Sequence, residues 1–462
     1  MQTKNIQPNI KSAENTQRGI TLIELMVAMA ISSIIMLGIS NIYLSTKKSA
    51  VIHDEFARVQ DNIRYASNTL ALNIRNAGYY GCAVAQNPTT ISNRINRNEL
   101  INFNLETGIF GFEAVGSNVG NAPLVINTTA VSGTAADWVA VGQPAPTPTV
   151  PTPKIKFIDA TGLEDKTTNL NTAVPDTVFK RAIAGSDILV LRTATGLGIK
   201  AAQEDTDTFV YLEDTTGGWE VGACPQNAGI ANVDGISGIC ELDILMMTDC
   251  TPRAVIFKAT NFTQVGGGAV GACVDPAKPC FRLDHVAGLA SGDNRDPALW
   301  SGKRFNTDAE VMRIRTRTFF VGISAPGDVP VITEPTLYVR NDAQLFPDPL
   351  IEGVENMQIL YGVDTTGNGI ANRYYSANNV PDLDGDPSTV FEGVVSIKLS
   401  LLVRTPQDMP GVNRTVADYA NLTYAMVSPA SPITIDPIPV DATSTDRRMR
   451  KVVNLTINLR NK

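Results

Sequence analysis

The sequence predicts an α+β protein, a long amino-terminal helix followed by a β-sheet-rich globular head. Three observations carry that expectation. Residues Ile20–Leu44 form a nearly continuous apolar run whose only charge is Glu24. Apolar residues then recur at steps of three and four as far as Ala77, the pattern of an amphipathic helix. Beyond Cys82 the chain turns to short apolar runs broken by Gly, Asn, Asp and Pro, which is the pattern of strands and turns.

The apolar run, ITLIELMVAMAISSIIMLGISNIYL, would span roughly 37 Å as a helix, enough for a hydrocarbon core of about 30 Å. A secretory signal carries an apolar region of only about 7–15 residues, so the run is too long for one. A buried core helix and a plain membrane anchor remain as alternatives. An ionised Glu24 in lipid costs about 2.5–3.5 kcal/mol, so that carboxylate calls for a partner or for neutrality. A polar leader of residues 1–19, carrying Lys4, Lys11, Glu14 and Arg18, precedes the run and ends at Gly19. Its basic residues favour a cytoplasmic amino terminus. Lys47 and Lys48 flank the other end, so charge alone leaves the orientation open.

Past the run, Ile52, Phe56, Val59, Ile63, Ala66, Leu70, Ile74 and Ala77 make one apolar stripe, with Arg58, Asp61, Arg64 and Arg75 between them. Gly78, followed by Tyr79-Tyr80-Gly81-Cys82, supplies a stop. A helix from Ile20 to Ala77 would be about 87 Å long, and its second half needs a sheet to cover the stripe. The organisation expected is a leader at 1–19, a transmembrane helix at 20–46, its amphipathic continuation at 47–80 and a head at 81–462.

Within the head, strands are expected at Trp138–Val141, Ile188–Arg192, Leu242–Met247, Ala254–Ala259, Thr318–Ile323, Met357–Gly362, Val394–Val403 and Val452–Leu459. The last two alternate well enough to be half buried. The tract Pro144–Pro153 cannot be a central strand or a helix and reads as an extended surface insertion, as does Pro429–Pro439.

Composition narrows the function. The chain has 462 residues, 43% hydrophobic and 18% charged, with a formal net charge of −8, which argues against a nucleic-acid-gripping role. There is no G-x-S-x-G, no Walker-type loop, no H-E-x-x-H and no dinucleotide glycine fingerprint in a strand–turn–helix setting. The two histidines, His53 and His285, are far apart and read as structural or solvated. No catalytic residues are therefore expected, and no enzyme.

The residues Arg18-Gly-Ile-Thr-Leu-Ile-Glu24 resemble the type IV prepilin cleavage signal. The resemblance implies that a prepilin peptidase cuts between Gly19 and Ile20, that Ile20 becomes N-methylated, and that Glu24 is the fifth residue of the mature chain. The family usually places phenylalanine where this chain has Ile20. Cleavage creates an α-amine at Ile20, a natural partner for a carboxylate in a low-dielectric setting. In the resembled family the pairing, between neighbouring subunits, sets register in the filament.

Downstream segments resemble the PilW family of large minor pilins and pilus-assembly proteins. They are Ile74-Arg-Asn-Ala-Gly-Tyr-Tyr-Gly-Cys82, Asp187-Ile-Leu-Val-Leu-Arg192, Thr248-Asp-Cys250 with Ala254-Val-Ile-Phe257, and Leu459-Arg-Asn461. The fullest is Glu352-Gly-Val-Glu-Asn-Met-Gln-Ile-Leu-Tyr-Gly-Val-Asp364. The resemblance implies a minor pilin that helps to initiate pilus assembly, placed at or near the tip. Its partners would be other minor pilins, the major pilin, the peptidase and the inner-membrane assembly machinery, with a tip adhesin beyond them. The chain would sit in the bacterial inner membrane with its head in the periplasm, and in the pilus. A minor pseudopilin of type II secretion shares the same amino-terminal chemistry. From another class, a membrane-tethered periplasmic enzyme or receptor would use the helix only as an anchor.

Two further sets of residues are candidates. Six cysteines with no CxxC pair suit an exported, disulfide-bonded chain. The pairing Cys82–Cys250, Cys224–Cys240 and Cys273–Cys280 is one of about fifteen full connectivities. Asp364-Thr-Thr-Gly-Asn368-Gly and Asp382-Leu-Asp384-Gly-Asp386 place oxygens at alternate positions beside glycine, as calcium loops do. The EF-hand match is imperfect, with Thr366 third and Tyr375 twelfth, and such runs are also ordinary turn material. No other cofactor is expected.

Overall fold

The computed structural model describes residues 20–81, 91–93, 107–115, 138–139, 178, 181–201, 208–214, 221–223, 234–236, 239–240, 243–249, 254–265, 280–285, 294, 305, 309–325, 328–342, 346–383, 390–407, 424–428, 431–435 and 448–460. It divides into two units, residues 1–54 and 55–462. One helix, α1, runs through Leu22–Asn76.

In the first unit α1 carries a long apolar stretch before Lys47. An 18-residue window has a mean hydropathy of 2.3 and none of it is buried within the protein. Within it the Ser33 hydroxyl is satisfied by the helix itself, donating to the Met29 carbonyl at 2.8 Å. The helix is long and apolar enough to cross a membrane.

The second unit takes up α1 at Glu55 and buries one stripe of it: Val59, Ala66, Leu70 and Ile74 are fully buried. The helix stops where the sequence supplies glycine. Gly78 has φ of 75°, and its amide donates to the Arg192 carbonyl at 2.9 Å instead of continuing the helical ladder.

Two sheets meet that stripe. Among the described residues the larger has twelve strands and is built on Glu310–Gly322, which pairs antiparallel with Ile188–Ala201 and Ile244–Thr248 on its two sides at one end. At its other end Glu310–Gly322 pairs with Thr336–Asn341, which in turn pairs with Asp348–Glu352. The smaller sheet is antiparallel, in the order Arg373–Tyr375, Val354–Val363, Val394–Arg404, Arg450–Asn458. The main core joins the α1 stripe to Leu189, Leu191, Phe319 and Val321 of the larger sheet and to Met357, Ile359, Leu399 and Leu401 of the smaller. A second core, with Val255, Phe257, Phe281 and Val311, fills the far part of the larger sheet.

The chain passes from one sheet to the other at a single residue. Gly353 separates Asp348–Glu352 from Val354–Val363 and has φ of 87°, where a side chain would be strained. A Cβ there would also lie 2.6 Å from the Arg404 carbonyl oxygen.

Two sequence expectations need correction. The strand expected at Thr318–Ile323 is Glu310–Gly322, beginning eight residues earlier. Its first half, Glu310-Val-Met-Arg-Ile-Arg-Thr-Arg317, alternates arginine with apolar or threonine residues, and charge hid the strand. Two of those arginines are paired with acids, Arg313 with Asp243 and Arg315 with Asp342 at 3.1 Å, while Arg317 donates to the neutral Asn73 side chain of α1. Part of the second proline segment is also a strand. Ser431–Ile435 pairs with Tyr424–Ser428 in a two-stranded hairpin, where Pro432 is tolerated because an edge needs no amide on its open side. The Pro144–Pro153 tract lies outside the described residues.

Candidate functional site

At the start of α1, Thr21 and Glu24 cap the helix reciprocally. The Thr21 amide and hydroxyl donate to Glu24 Oε2 at 2.9 and 3.0 Å, and the Glu24 amide donates to Thr21 Oγ1 at 3.3 Å. Threonine followed three residues later by glutamate satisfies two otherwise orphaned amides at a helix start. The pattern Thr21-Leu22-Ile23-Glu24 was present in the sequence, but the apolar setting drew attention to the charge of Glu24 alone. Its other oxygen, Oε1, has no hydrogen bond among the described residues. Ile20, beside it, is 76% exposed. Gly19 lies outside the described residues.

In the head, the segment Glu352–Asp364 does three jobs. Its Gly353 makes the crossing between sheets. Its Glu355 is buried and accepts from Arg404 Nη1 at 2.7 Å and from Arg450 Nε and Nη2 at 2.7 and 2.9 Å. Arg404 also reaches Glu334, which accepts two hydrogen bonds from Arg448 at 2.7 and 3.2 Å. Desolvation pushes the Glu334 carboxyl up, but Arg448 and Arg404 outweigh it and hold the group below the ordinary glutamate range. Three arginines and two glutamates thus tie the ends of three strands to the loop before Thr336.

The third job is a seam with residues 185–187. The Asn356 and Gln358 side-chain amides both donate to the Gly185 carbonyl at 2.8 Å. Ser186 Oγ accepts from the Met357 amide at 3.0 Å. Asp187, 1% exposed, accepts from the Ala114 amide at 2.9 Å and from the Ile359 amide at 2.8 Å. Tyr361 is buried close by, and burial first, then Asp187 and Glu113, pushes its hydroxyl well above the ordinary tyrosine range. Its ring needs Gly111 opposite, since a Cβ there would come within 1.9 Å of the Tyr361 oxygen.

The end of α1 docks on the same strand. Gly78 donates to the Arg192 carbonyl, and the Ala194 amide donates to the Tyr79 carbonyl at 2.7 Å. The segments Ile74–Gly81, Asp187–Arg192 and Glu352–Asp364, far apart in sequence, are therefore contiguous. The spacing of residues gave no sign of this, because most of the bonds end on main-chain groups.

The Asp364 loop closes on itself. Asp364 Oδ1 accepts from the Thr366 amide at 2.9 Å, the Thr366 hydroxyl at 3.1 Å and the Gly367 amide at 2.8 Å, and Oδ2 accepts from the Gly369 amide at 2.5 Å. Asn368 Oδ1 accepts from the Ile370 amide. Asp382 is described, while Asp384 and Asp386 are not. Among the described residues no group of three or more His, Cys, Asp or Glu side chains is placed to hold a metal. The loop borders an open cavity of about 680 Å³, lined also by Tyr374, Glu392, Ser396 and Asn458. Of the six cysteines, Cys240 and Cys280 are described and neither is a free thiol. Cys82, Cys224, Cys250 and Cys273 lie outside the described residues, and so does the connectivity.

His285 is buried against Phe257, with ring centroids 5.4 Å apart, and His53 lies exposed on α1. Neither histidine faces the cavity.

Comparison with known families reaches both ends of the chain. Residues 318–461 match the model for type IV pilus-assembly protein W, and residues 15–40 match the prokaryotic N-terminal methylation motif. The chain carries a PilW domain behind a prepilin methylation motif. Together they support a minor-pilin or assembly role in a type IV pilus, a family of pilus assembly and not of enzymes. The PilW segment contains the whole smaller sheet, Gly353, the Glu355 network and the Asp364 loop. The methylation motif contains Gly19, Ile20 and Glu24. No curated protein and no solved structure matches the chain.

Proposed function

We propose that the chain is a minor pilin that helps to initiate pilus assembly at or near the tip and performs no catalysis. The observation that carries the reading is the occurrence in one chain of a methylation motif over the start of α1 and a PilW domain at the end of the head. In this reading a prepilin peptidase cuts between Gly19 and Ile20, and the new Ile20 amine is methylated. The apolar helix holds the subunit in the inner membrane with the head in the periplasm until assembly. Other minor pilins and the major pilin are its neighbours.

Glu24 acts twice. Oε2 caps its own helix through Thr21, and Oε1 is left for the amine of an adjacent subunit. A large head suits a subunit placed sparsely or at the tip better than one repeated along a shaft. For the two aspartate–glycine segments we keep calcium as a separate proposal. Millimolar calcium should raise the melting temperature of the full-length protein, and an unchanged melting curve overturns it.

The decisive experiment is mass spectrometry of the chain recovered from sheared pili. The expected mature amino terminus is N-methylated Ile20, absent when the peptidase is deleted. Recovery with a secretion apparatus instead of pili would favour the pseudopilin reading. An uncleaved or differently cleaved terminus would overturn both.

A further inference from the structure

The smaller sheet ends in an edge strand that is built to receive another strand. Arg450–Asn458 pairs with Val394–Arg404 through nine consecutive positions without a register shift. Among the described residues it pairs with no strand on its other side. The parity of the ladder follows from its two ends. The Thr405 amide donates to the Met449 carbonyl at 2.9 Å, and the Leu459 amide to the Val395 carbonyl at 3.0 Å. Residues that exchange bonds with the partner alternate in an antiparallel pair. Odd-numbered residues of the strand therefore face inward along the ladder, and Val452, Asn454, Thr456 and Asn458 aim their amides and carbonyls at the open side.

Exposed edges of this length are normally blunted by proline, bulges, charge or shortness. This one has no proline, no bulge and a single exposed charge within it, Lys451. The strand at the opposite edge of the sheet, Arg373–Tyr375, has only three residues. Two apolar side chains on the core side, Val453 and Leu455, pack on the main core but are only partly covered. At the strand's end the 680 Å³ cavity opens beside Asn458 and Leu459, with Ile370 and Tyr374 on its far wall. An added strand gains main-chain hydrogen bonds from an edge and specificity from side-chain pockets along it. Both are here.

Charge selects the occupant. Lys451 and Arg460 stand exposed at the two ends of the edge, and no acidic residue lies between them. A second copy laid antiparallel on the same edge would bring Lys451 of one chain toward Arg460 of the other, like charge against like. We propose that this edge is completed by an extended segment of a different pilus subunit, apolar at alternate positions and acidic toward its ends. The inference rests on the pilus reading above.

Hydrogen exchange of the full-length protein, in detergent and in sheared pili, tests it. The amides of Val452, Asn454, Thr456 and Asn458 should exchange at least tenfold more slowly in pili, beyond any general slowing of the head. A photocrosslinker at Asn454 in piliated cells should yield an adduct with another subunit. Thr456→Pro, which removes only an outward amide, should abolish that adduct while the melting temperature stays within a few degrees. If Thr456→Pro fails to fold, Lys451→Glu serves in its place and should weaken the adduct several-fold. Equal exchange in both states, or an adduct consisting of two copies of this chain, overturns the proposal. Absence of the chain from sheared pili would instead count against the pilus reading, which separates the two failures.

Discussion

Asp187 Oδ2 accepts the Ile359 amide at 2.8 Å across a separation of 172 residues, and Oδ1 of the same carboxylate accepts the Ala114 amide. One buried side chain thereby joins strands of both sheets. Replacing it with alanine orphans two buried amides, each costing about 1–3 kcal/mol. Asp187→Ala should lower the stability of the full-length protein by about 2–5 kcal/mol, read as a lower denaturant midpoint. Asp187→Asn should recover part of it, because one of its two side-chain heteroatoms still accepts.

Glu355 is buried between Arg404 and Arg450, and removing one member of a buried ion pair costs about 3–5 kcal/mol because it strands the other's charge. Glu355→Leu should therefore be strongly destabilising. Adding Arg450→Met should restore part of the loss, so the double variant should melt above the single one. Additive losses would mean that the network is not coupled.

Glu334 predicts the acid limb of stability. Its folded-state affinity for a proton is lowered, so its contribution is present above the ordinary glutamate value of about 4.5 and disappears as pH falls below it. Arg448→Met, by weakening that depression, should flatten the fall in melting temperature below pH 4.5. An unchanged profile would show that other carboxylates set the acid limb.

Asp364 should titrate unusually low. Desolvation pushes its carboxyl up, but the amides of Thr366 and Gly369, the Thr366 hydroxyl and the Gly367 amide pull it down to about 2. Those bonds should persist at pH 4 and be lost as pH falls toward 2. Accelerated hydrogen exchange, corrected for intrinsic rates, at Thr366, Gly367 and Gly369 over that window would report it.

The cap at the helix start separates two roles of Glu24. Thr21→Val removes the hydroxyl that serves both as donor and as acceptor but leaves Glu24 and the Ile20 amine in place. It should reduce incorporation into pili less than Glu24→Val does. Equal defects would mean that capping, and not pairing between subunits, is what Glu24 supplies.

How far the sequence reveals this molecule depends on the range of its interactions. The helix was legible because 3.6-residue periodicity is local. Val394–Arg404 was legible as a strand, but the half burial expected of it is wrong: nine of its eleven residues are buried, because it lies between two other strands of its sheet. Glu310–Gly322 was half hidden, since the partners of its arginines, Asp243, Asp342 and Asn73, are far from them in sequence. Asp187 lies within a family-like segment, yet nothing near it in sequence announces that its partners are the amides of Ala114 and Ile359. The same holds for Glu355 and its two arginines. The Thr21–Glu24 cap is different, since it lies within four residues and was open to reading.

Gly353 gives the head a property that no count of contacts conveys. A crossing of one residue between two sheets leaves no slack at that point, and the chain just beyond it is clamped by Glu355 and by the seam with residues 185–187. Among the described residues no loop separates Asp348–Glu352 from Val354–Val363, so the two sheets cannot shift against each other at Gly353 without breaking those bonds. The crossing is therefore a stiff joint within the head: a pull on one sheet is passed to the other rather than taken up between them.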